Sequence, residues 1–177
     1  MQDASRSEAV TTIFCPSALR ELWLTPHVGE WSPLAKQWHQ QYPGLFDEDD
    51  LRLTIAKGHW SYHFYEWYAA IRLFQRDGAV SMLEKYDSKC HRRKVVEFER
   101  VVSVAKRQIL HKICSDFKVQ LPDLLVLSAD GVSFSFAEVK GPDDHTLKRK
   151  DQRGCRDAIR EQLKVRVEII KVCLVPS

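Results

Sequence analysis

Leu121-Pro122-Asp123-Leu124-Leu125-Val126-Leu127-Ser128-Ala129-Asp130-Gly131-Val132-Ser133-Phe134-Ser135-Phe136-Ala137-Glu138-Val139-Lys140 is the stretch on which the reading of this chain turns. It predicts two β-strands joined at Asp130-Gly131, the dipeptide favoured in two-residue type I′ hairpin turns. With those two residues as the whole loop, Asp123 falls directly opposite Glu138. Strand side chains alternate between faces, so Leu125, Leu127, Phe134 and Phe136 share the face of Asp123, Glu138 and Lys140. An apolar face thus runs into two carboxylates and an amine at one end of the hairpin.

Opposed Cβ atoms of an antiparallel pair stand about 4.5–5.5 Å apart, and like charges there repel. Lys140 can neutralise the pair as an ordinary ion triad. Alternatively, Asp123 and Glu138 share a hard divalent cation, which takes oxygen ligands from one or two carboxylates plus substrate phosphates. An amine beside such a site can hold or activate a water next to a phosphate.

The chain has 177 residues, enough for one domain with a real core. Its 44% hydrophobic and 29% charged residues are ordinary for a soluble globular protein. A net charge of +3 is too mild to argue for nucleic acid on its own, so the distribution of charge carries that case. Five widely spaced cysteines with no CxxC fit reduced thiols and a cytoplasmic protein. Neither a signal peptide nor a run long enough to span a membrane is expected.

The first fifty residues carry the weakest signal. Prolines suit the starts of short helices from Pro16 to Leu24 and Pro33 to Gln41. Trp23, Trp31 and Trp38 read as packing anchors ahead of base-stacking platforms. Asp47-Glu48-Asp49-Asp50 reads as acidic residues favoured at the start of a helix through Leu51, Leu53 and Ile55. A longer amphipathic helix, His59 to Arg76, follows, with Trp60, Phe64, Trp67, Ile71 and Phe74 forming one stripe. Glu66 lies beside that stripe, and His59, His63 and Glu66 form a weaker transition-metal candidate.

Ala79 to Tyr86 reads as a strand. A basic loop with Arg92, Arg93 and Lys94 then opens one long helix to about Ser115. Basic residues at a helix N-terminus oppose the macrodipole, which makes sense if phosphates are the partner; a solvated loop explains them equally well. After the hairpin, a helix to about Leu163 buries Cys155, Ile159 and Leu163, with Gln152 on the same face one turn earlier. Lys148, Arg149, Lys150, Arg153, Arg156 and Arg160 crowd this helix, and Val165 to Val175 forms a last strand. The order calls for an α/β fold with a mixed sheet between helical layers.

Pro122-Asp123 with Glu138-Val139-Lys140 resembles the PD-(D/E)xK nuclease signature. Glu138-Val139-Lys140-Gly141-Pro142-Asp143-Asp144 followed by Gln152 resembles its VRR-NUC branch, which includes the nuclease domain of the Fanconi-associated nuclease and stand-alone phage and bacterial enzymes. The resemblance implies a three-layer, restriction-endonuclease-like αβββαβ core over residues 58–177, here with an inserted helix and a helical extension over 1–57. It implies that Asp123, Glu138 and the Val139 carbonyl hold Mg²⁺ or Mn²⁺, with Lys140 the catalytic lysine and Gln152 the helix glutamine of the motif. Glu66 matches the family's first-helix glutamate and adds a fourth metal ligand, with Glu97 and Glu99 as rivals. The implied activity is endonucleolytic cleavage of DNA, in particular junctions or flaps in repair or recombination, with homodimerisation as in stand-alone members. A binding module without turnover and a defence-type endonuclease are the alternatives.

If the basic residues meet phosphate, replacing Lys148, Arg149 and Lys150 together by Ala weakens binding to all DNA sequences about equally. The dependence of log K on log salt flattens by up to roughly 0.9 per lost contact on duplex. Titration at several salt concentrations checks this, and an unchanged slope would identify a solvated helix face.

Overall fold

The computed structural model describes residues 9–25, 32–55, 63–144 and 150–177. Their order is β1 (Val10–Pro16), α1 (Ser17–Leu24), α2 (Pro33–Gln41), α3 (Glu48–Ile55), α4 (Phe64–Asp77), β2 (Val80–Leu83), α5 (Arg92–Val101), α6 (Val104–Phe117), β3 (Leu124–Leu127), β4 (Phe134–Lys140), α7 (Lys150–Leu163) and β5 (Val167–Val175). The strands form one mixed sheet in the order β1-β5-β4-β3-β2. β2, β3 and β4 are antiparallel neighbours, whereas β5 runs parallel to both β4 and β1.

The hairpin has the expected register, because Leu124 pairs with Ala137 and Leu127 with Phe134. Its turn differs from the expected two-residue loop. Ser128 N–H still bonds the Ser133 carbonyl, leaving Ala129 to Val132 as the loop, closed by Gly131 N–H on the Ser128 carbonyl. A type I′ turn needs positive φ at both central residues. Here Gly131 has it (φ 67) and Asp130 does not. Asp130 instead spends its carboxylate locally, accepting from Ser128 Oγ and Val132 N–H.

Alternation then sorts the core. Leu125, Leu127 and Phe136 pack with Phe98, Leu110, Ile159 and Leu163 of α5, α6 and α7 on one side of the sheet. Leu124, Ala137 and Val139 pack with Phe64, Trp67 and Ile71 of α4 on the other. Gly154 lets α6 and α7 approach: a Cβ there would stand 2.5 Å from Phe117 Cε1.

Two expectations are corrected. The long helix to Ser115 is two helices, since Val102 is extended and Ser103 caps α6 by accepting from Lys106 N–H. The N-terminal segment is not solely helical: β1 is the fifth strand of the sheet, and Tyr68 OH from α4 bonds the Phe14 carbonyl within it. Trp23 and Trp38 pack on Phe64 with ring centroids 5.5 and 5.8 Å away, as the anchor reading expects. Trp31, Trp60 and His59 lie outside the described residues.

The acidic run at residues 47–50 is a helix start. Asp47 and Asp50 each accept the other's backbone N–H, a reciprocal cap on α3. Asp50 also forms an ion pair with Lys94, both essentially inaccessible at 1% and 0% exposure. Lys94 further donates to the Leu83 and Glu84 carbonyls, at 3.1 and 3.3 Å. The reading of Lys94 as a phosphate contact is therefore corrected: its amine is committed to the interior, where a charge persists only if paired and hydrogen-bonded.

Removing one partner of a buried ion pair costs about 3–5 kcal/mol, because the other charge is stranded. Lys94→Ala should lower the melting temperature by roughly 10 °C. The pair Lys94→Met with Asp50→Leu should recover most of it. A single variant that melts like the wild type would show that the pair does not hold α3 and α5 to the end of β2.

Candidate active site

The site forms where β3 stops short of β4. Pro122 has no N–H to extend the ladder, and its carbonyl is taken by the buried Tyr86 OH at 3.0 Å. β4 continues for three residues beyond Ala137, the last of its residues paired with β3. The Val139 N–H is met by a side chain, Asp123 Oδ2 at 2.8 Å. This bond holds the Asp123 carboxylate against β4, beside Glu138.

The two carboxyl groups lie close enough for each to act on the other's charge. Burial pushes Glu138 up to about 8, the Asp123 charge adds to the rise, and Lys140 and Arg156 oppose it. Burial also raises Asp123, against the pull of Lys140 and the Val139 N–H. Glu138 therefore keeps a proton at neutral pH, as expected where a neighbouring like charge disfavours its ionised form. Lys140 is buried too, with Nζ 3.4 Å from Glu138 Oε2 and 3.6 Å from Asp144 Oδ2. Burial works against its charge, but Glu138, Asp123 and Asp144 outweigh it and hold the ammonium above its usual range.

Glu66 enters from α4. Burial pushes it up to about 8, with Asp123 and Glu84 adding to the rise and Lys140 opposing it. It lines a recess with Tyr65, Val139 and Gly141. Gly141 is required there, since a Cβ would stand 2.7 Å from Tyr65 Cε2.

Glu84 is a residue the sequence reading missed. One step beyond the last β2–β3 pair, Leu83 with Leu124, it comes level with Asp123. Three carboxylates therefore sit in a row across β2, β3 and β4. Pairing β2 with β3 from the sequence would have found it. Its carboxyl is raised by burial, with Asp123 contributing, and His63 Nε2 stands 3.2 Å from Oε1. Burial pushes that imidazole down to about 4, so it is neutral at pH 7.

On the other side of the sheet end, Asp123, Glu138 and Lys140 face a cleft of about 280 Å³ with Lys118, Leu121, Gln152 and Cys155. Gln152 Oε1 is buried without a hydrogen-bond partner among the described residues, so a group bound in the cleft would relieve a desolvated acceptor. Arg156, 1% exposed, lies one turn beyond Gln152 and acts on Glu138. The sequence reading counted Arg156 among the basic residues of its helix, although the four-residue spacing from Gln152 signals the shared face.

The remaining candidates divide. Glu97 pairs with Arg100 at 2.7 Å and Glu99 with Arg107, both along the surface of α5 and α6. Arg92 is exposed, whereas Arg93 donates to the Gly44 carbonyl at 2.6 Å and pairs with Asp47. Arg153 is exposed, its Nε 3.9 Å from Asp157. Lys148, Arg149 and the side chain of Lys150 lie outside the described residues. Among the described residues no three His, Cys, Asp or Glu side chains converge tightly enough to enclose an ion by themselves. The donor set fits an ion held partly by protein oxygens and completed by water and phosphate, the manner in which Mg²⁺ is bound. Comparison of the chain with known protein families and with curated proteins found no match.

Without metal, Glu138 and Glu66 keep a proton in the folded state up to about pH 8 that an ordinary glutamate at 4.5 has released. The stability this contributes is complete below the unfolded value and is lost as pH rises through the folded one. The melting temperature of chelator-treated protein should therefore fall between about pH 4.5 and 8 and level off above. Glu138→Gln should flatten the fall and melt above the wild type at the alkaline end. Parallel curves for the two proteins would show that Glu138 holds no such proton.

Proposed function

We propose that this protein is a divalent-metal-dependent phosphodiesterase acting on DNA. The observation that carries the reading is the Asp123–Glu138 carboxyl pair at the end of β3 and β4, with Asp123 held on the Val139 N–H and Glu138 3.4 Å from the Lys140 ammonium. A proton there does in part what a cation does fully, which is to remove the repulsion of opposed carboxylates. The order α4, β2, β3, β4, α7, β5, with α5 and α6 inserted after β2, supports the restriction-endonuclease-like core that the PD…EVK resemblance implies. Glu66 and Gln152 flank the same strand end, as that resemblance requires of its first-helix glutamate and helix glutamine.

Asp123 and Glu138, with the Val139 carbonyl and Glu66, would hold Mg²⁺ or Mn²⁺, which when bound neutralises phosphate charge and acidifies a water. Lys140 keeps its proton, so it acts as a fixed donor toward phosphate oxygens or the attacking water, stabilising charge as it develops. Gln152 offers an unpaired acceptor to orient a water or a substrate hydrogen-bond donor. Arg156 keeps positive charge beside Glu138 and favours its ionised form. The low net charge leaves DNA capture to local clusters, of which Arg92 and Arg153 are exposed. Junctions or flaps are the proposed substrates and a homodimer the proposed assembly; both rest on the resemblance alone.

Cleavage of labelled single-strand, duplex, flap and four-way DNA with Mg²⁺ or Mn²⁺ tests the proposal. Lys140→Ala and Glu138→Ala should each lose activity by at least about 10²-fold, with DNA binding retained by the lysine variant. Glu66→Gln should sharply lower cleavage, whereas Glu97→Gln and Glu99→Gln should leave it unchanged. Full activity in Lys140→Ala would falsify the site assignment. Binding without turnover on every substrate would favour a non-catalytic module.

A further inference from the structure

Cys114 and Cys155 are free, buried thiols that the proposed chemistry does not use. They lie on α6 and α7 within one hydrophobic cluster, close enough for each thiol to act on the other. Gly154, next to Cys155, is the position where a side chain would strike Phe117 of α6, so the two helices meet closely there. Cys155 also forms part of the cleft wall with Glu138, Lys140 and Gln152. A small solute that enters the cleft therefore meets Cys155. The other cysteines are differently placed: Cys15 is buried with Sγ 3.5 Å from the Pro16 carbonyl, Cys90 is exposed and Cys173 is half-buried.

We propose that Cys114 and Cys155 form a reversible disulfide that fastens α6 to α7 at the wall of the cleft, with a hydroperoxide as oxidant. Cys155 sulfur attacks a peroxide oxygen: an S–O bond forms, the O–O bond breaks, and water leaves with the thiol proton. Cys114 sulfur then attacks the Cys155 sulfenic acid: the S–S bond forms, the S–O bond breaks, and a second water leaves. Two thiols lose two electrons in total and one hydrogen peroxide gains them. The roles follow from placement, since Cys155 lines the cleft and Cys114 is not part of its wall. The thiol on the cleft thus meets the oxidant first, and Cys114 is the resolving thiol. Because Gln152 and Arg156 flank Cys155 on α7, the cross-link also ties down the helix that presents them. Its effect on cleavage rests on the nuclease reading; its formation does not.

The full-length reduced protein would be treated with hydrogen peroxide, its remaining thiols alkylated in denaturant, and its peptides mapped by mass spectrometry. The expected product is a Cys114–Cys155 cross-link that dithiothreitol reverses, with a melting temperature raised by up to about 10 °C. Cys114→Ser should yield a sulfenic acid at Cys155 that dimedone traps, and Cys155→Ser should leave Cys114 unoxidised. Full alkylation of both cysteines after a dose that oxidises the exposed Cys90 would overturn the proposal. So would a cross-link from Cys155 to any other cysteine. Cleavage assayed on the same samples separates the two ideas. Lower activity restored by dithiothreitol supports a redox gate, whereas a cross-link in a protein that cleaves nothing in either state counts against the nuclease reading alone.

Discussion

The Asp123 carboxylate replaces a strand. Just before β3 begins at Leu124, Asp123 Oδ2 takes the Val139 N–H at 2.8 Å that a longer β3 would have occupied with a carbonyl. A buried backbone donor must be met, so the ladder is completed by a charged group rather than a peptide. That substitution brings a carboxylate against Glu138 and level with Glu84, and it draws Lys140 to the same point. The raised carboxyls of Glu66, Glu84, Asp123 and Glu138 trace to this one strand end, where burial and mutual repulsion both favour the protonated forms.

Such a cluster is costly to hold together, and the surrounding structure is built to hold it. Lys94, itself buried, donates to the Leu83 and Glu84 carbonyls and pairs with Asp50, so α3 and α5 are fastened to the end of β2. His63, with φ 66 at the start of α4, stands against Glu84 from the opposite side. Tyr86 OH secures the Pro122 carbonyl. Local stability sacrificed to a charged constellation, with compensation in the neighbouring packing, is the pattern expected of a functional site.

The two faces of the sheet end differ in character. On the α4 side Glu66 sits in a recess closed by the Tyr65 ring over Gly141. On the α7 side a cleft opens toward Gln152, Cys155 and Lys118. Carboxylates thus reach one strand end from both layers. Among the described residues, the α7 side combines an amide oxygen without a hydrogen-bond partner with the Cys155 thiol. The Gln152 amide and the Cys155 thiol are therefore on one helix, and a change in the position of α7 acts on both.

Local chemistry made much of this legible in the sequence. The Asp123–Glu138 opposition was readable because strand alternation and hairpin pairing need only residue spacing, and the longer loop kept the register. The stripe Phe64, Trp67, Ile71 located α4, and the acidic run at residues 47–50 announced a helix start, because both signals are local. What the sequence could not determine depended on partners distant along the chain. Whether Lys94 faces phosphate or Asp50 is decided only when α3 and α5 meet. Val10 to Pro16 becomes a strand only when β5, more than 150 residues later, offers an edge. Glu84 joins the site through its register with β3, and Arg156 leaves the surface because α7 turns that face toward Glu138. Periodicity determined which face of each element was apolar; only the packing of one element on another decided which charges that face would bury.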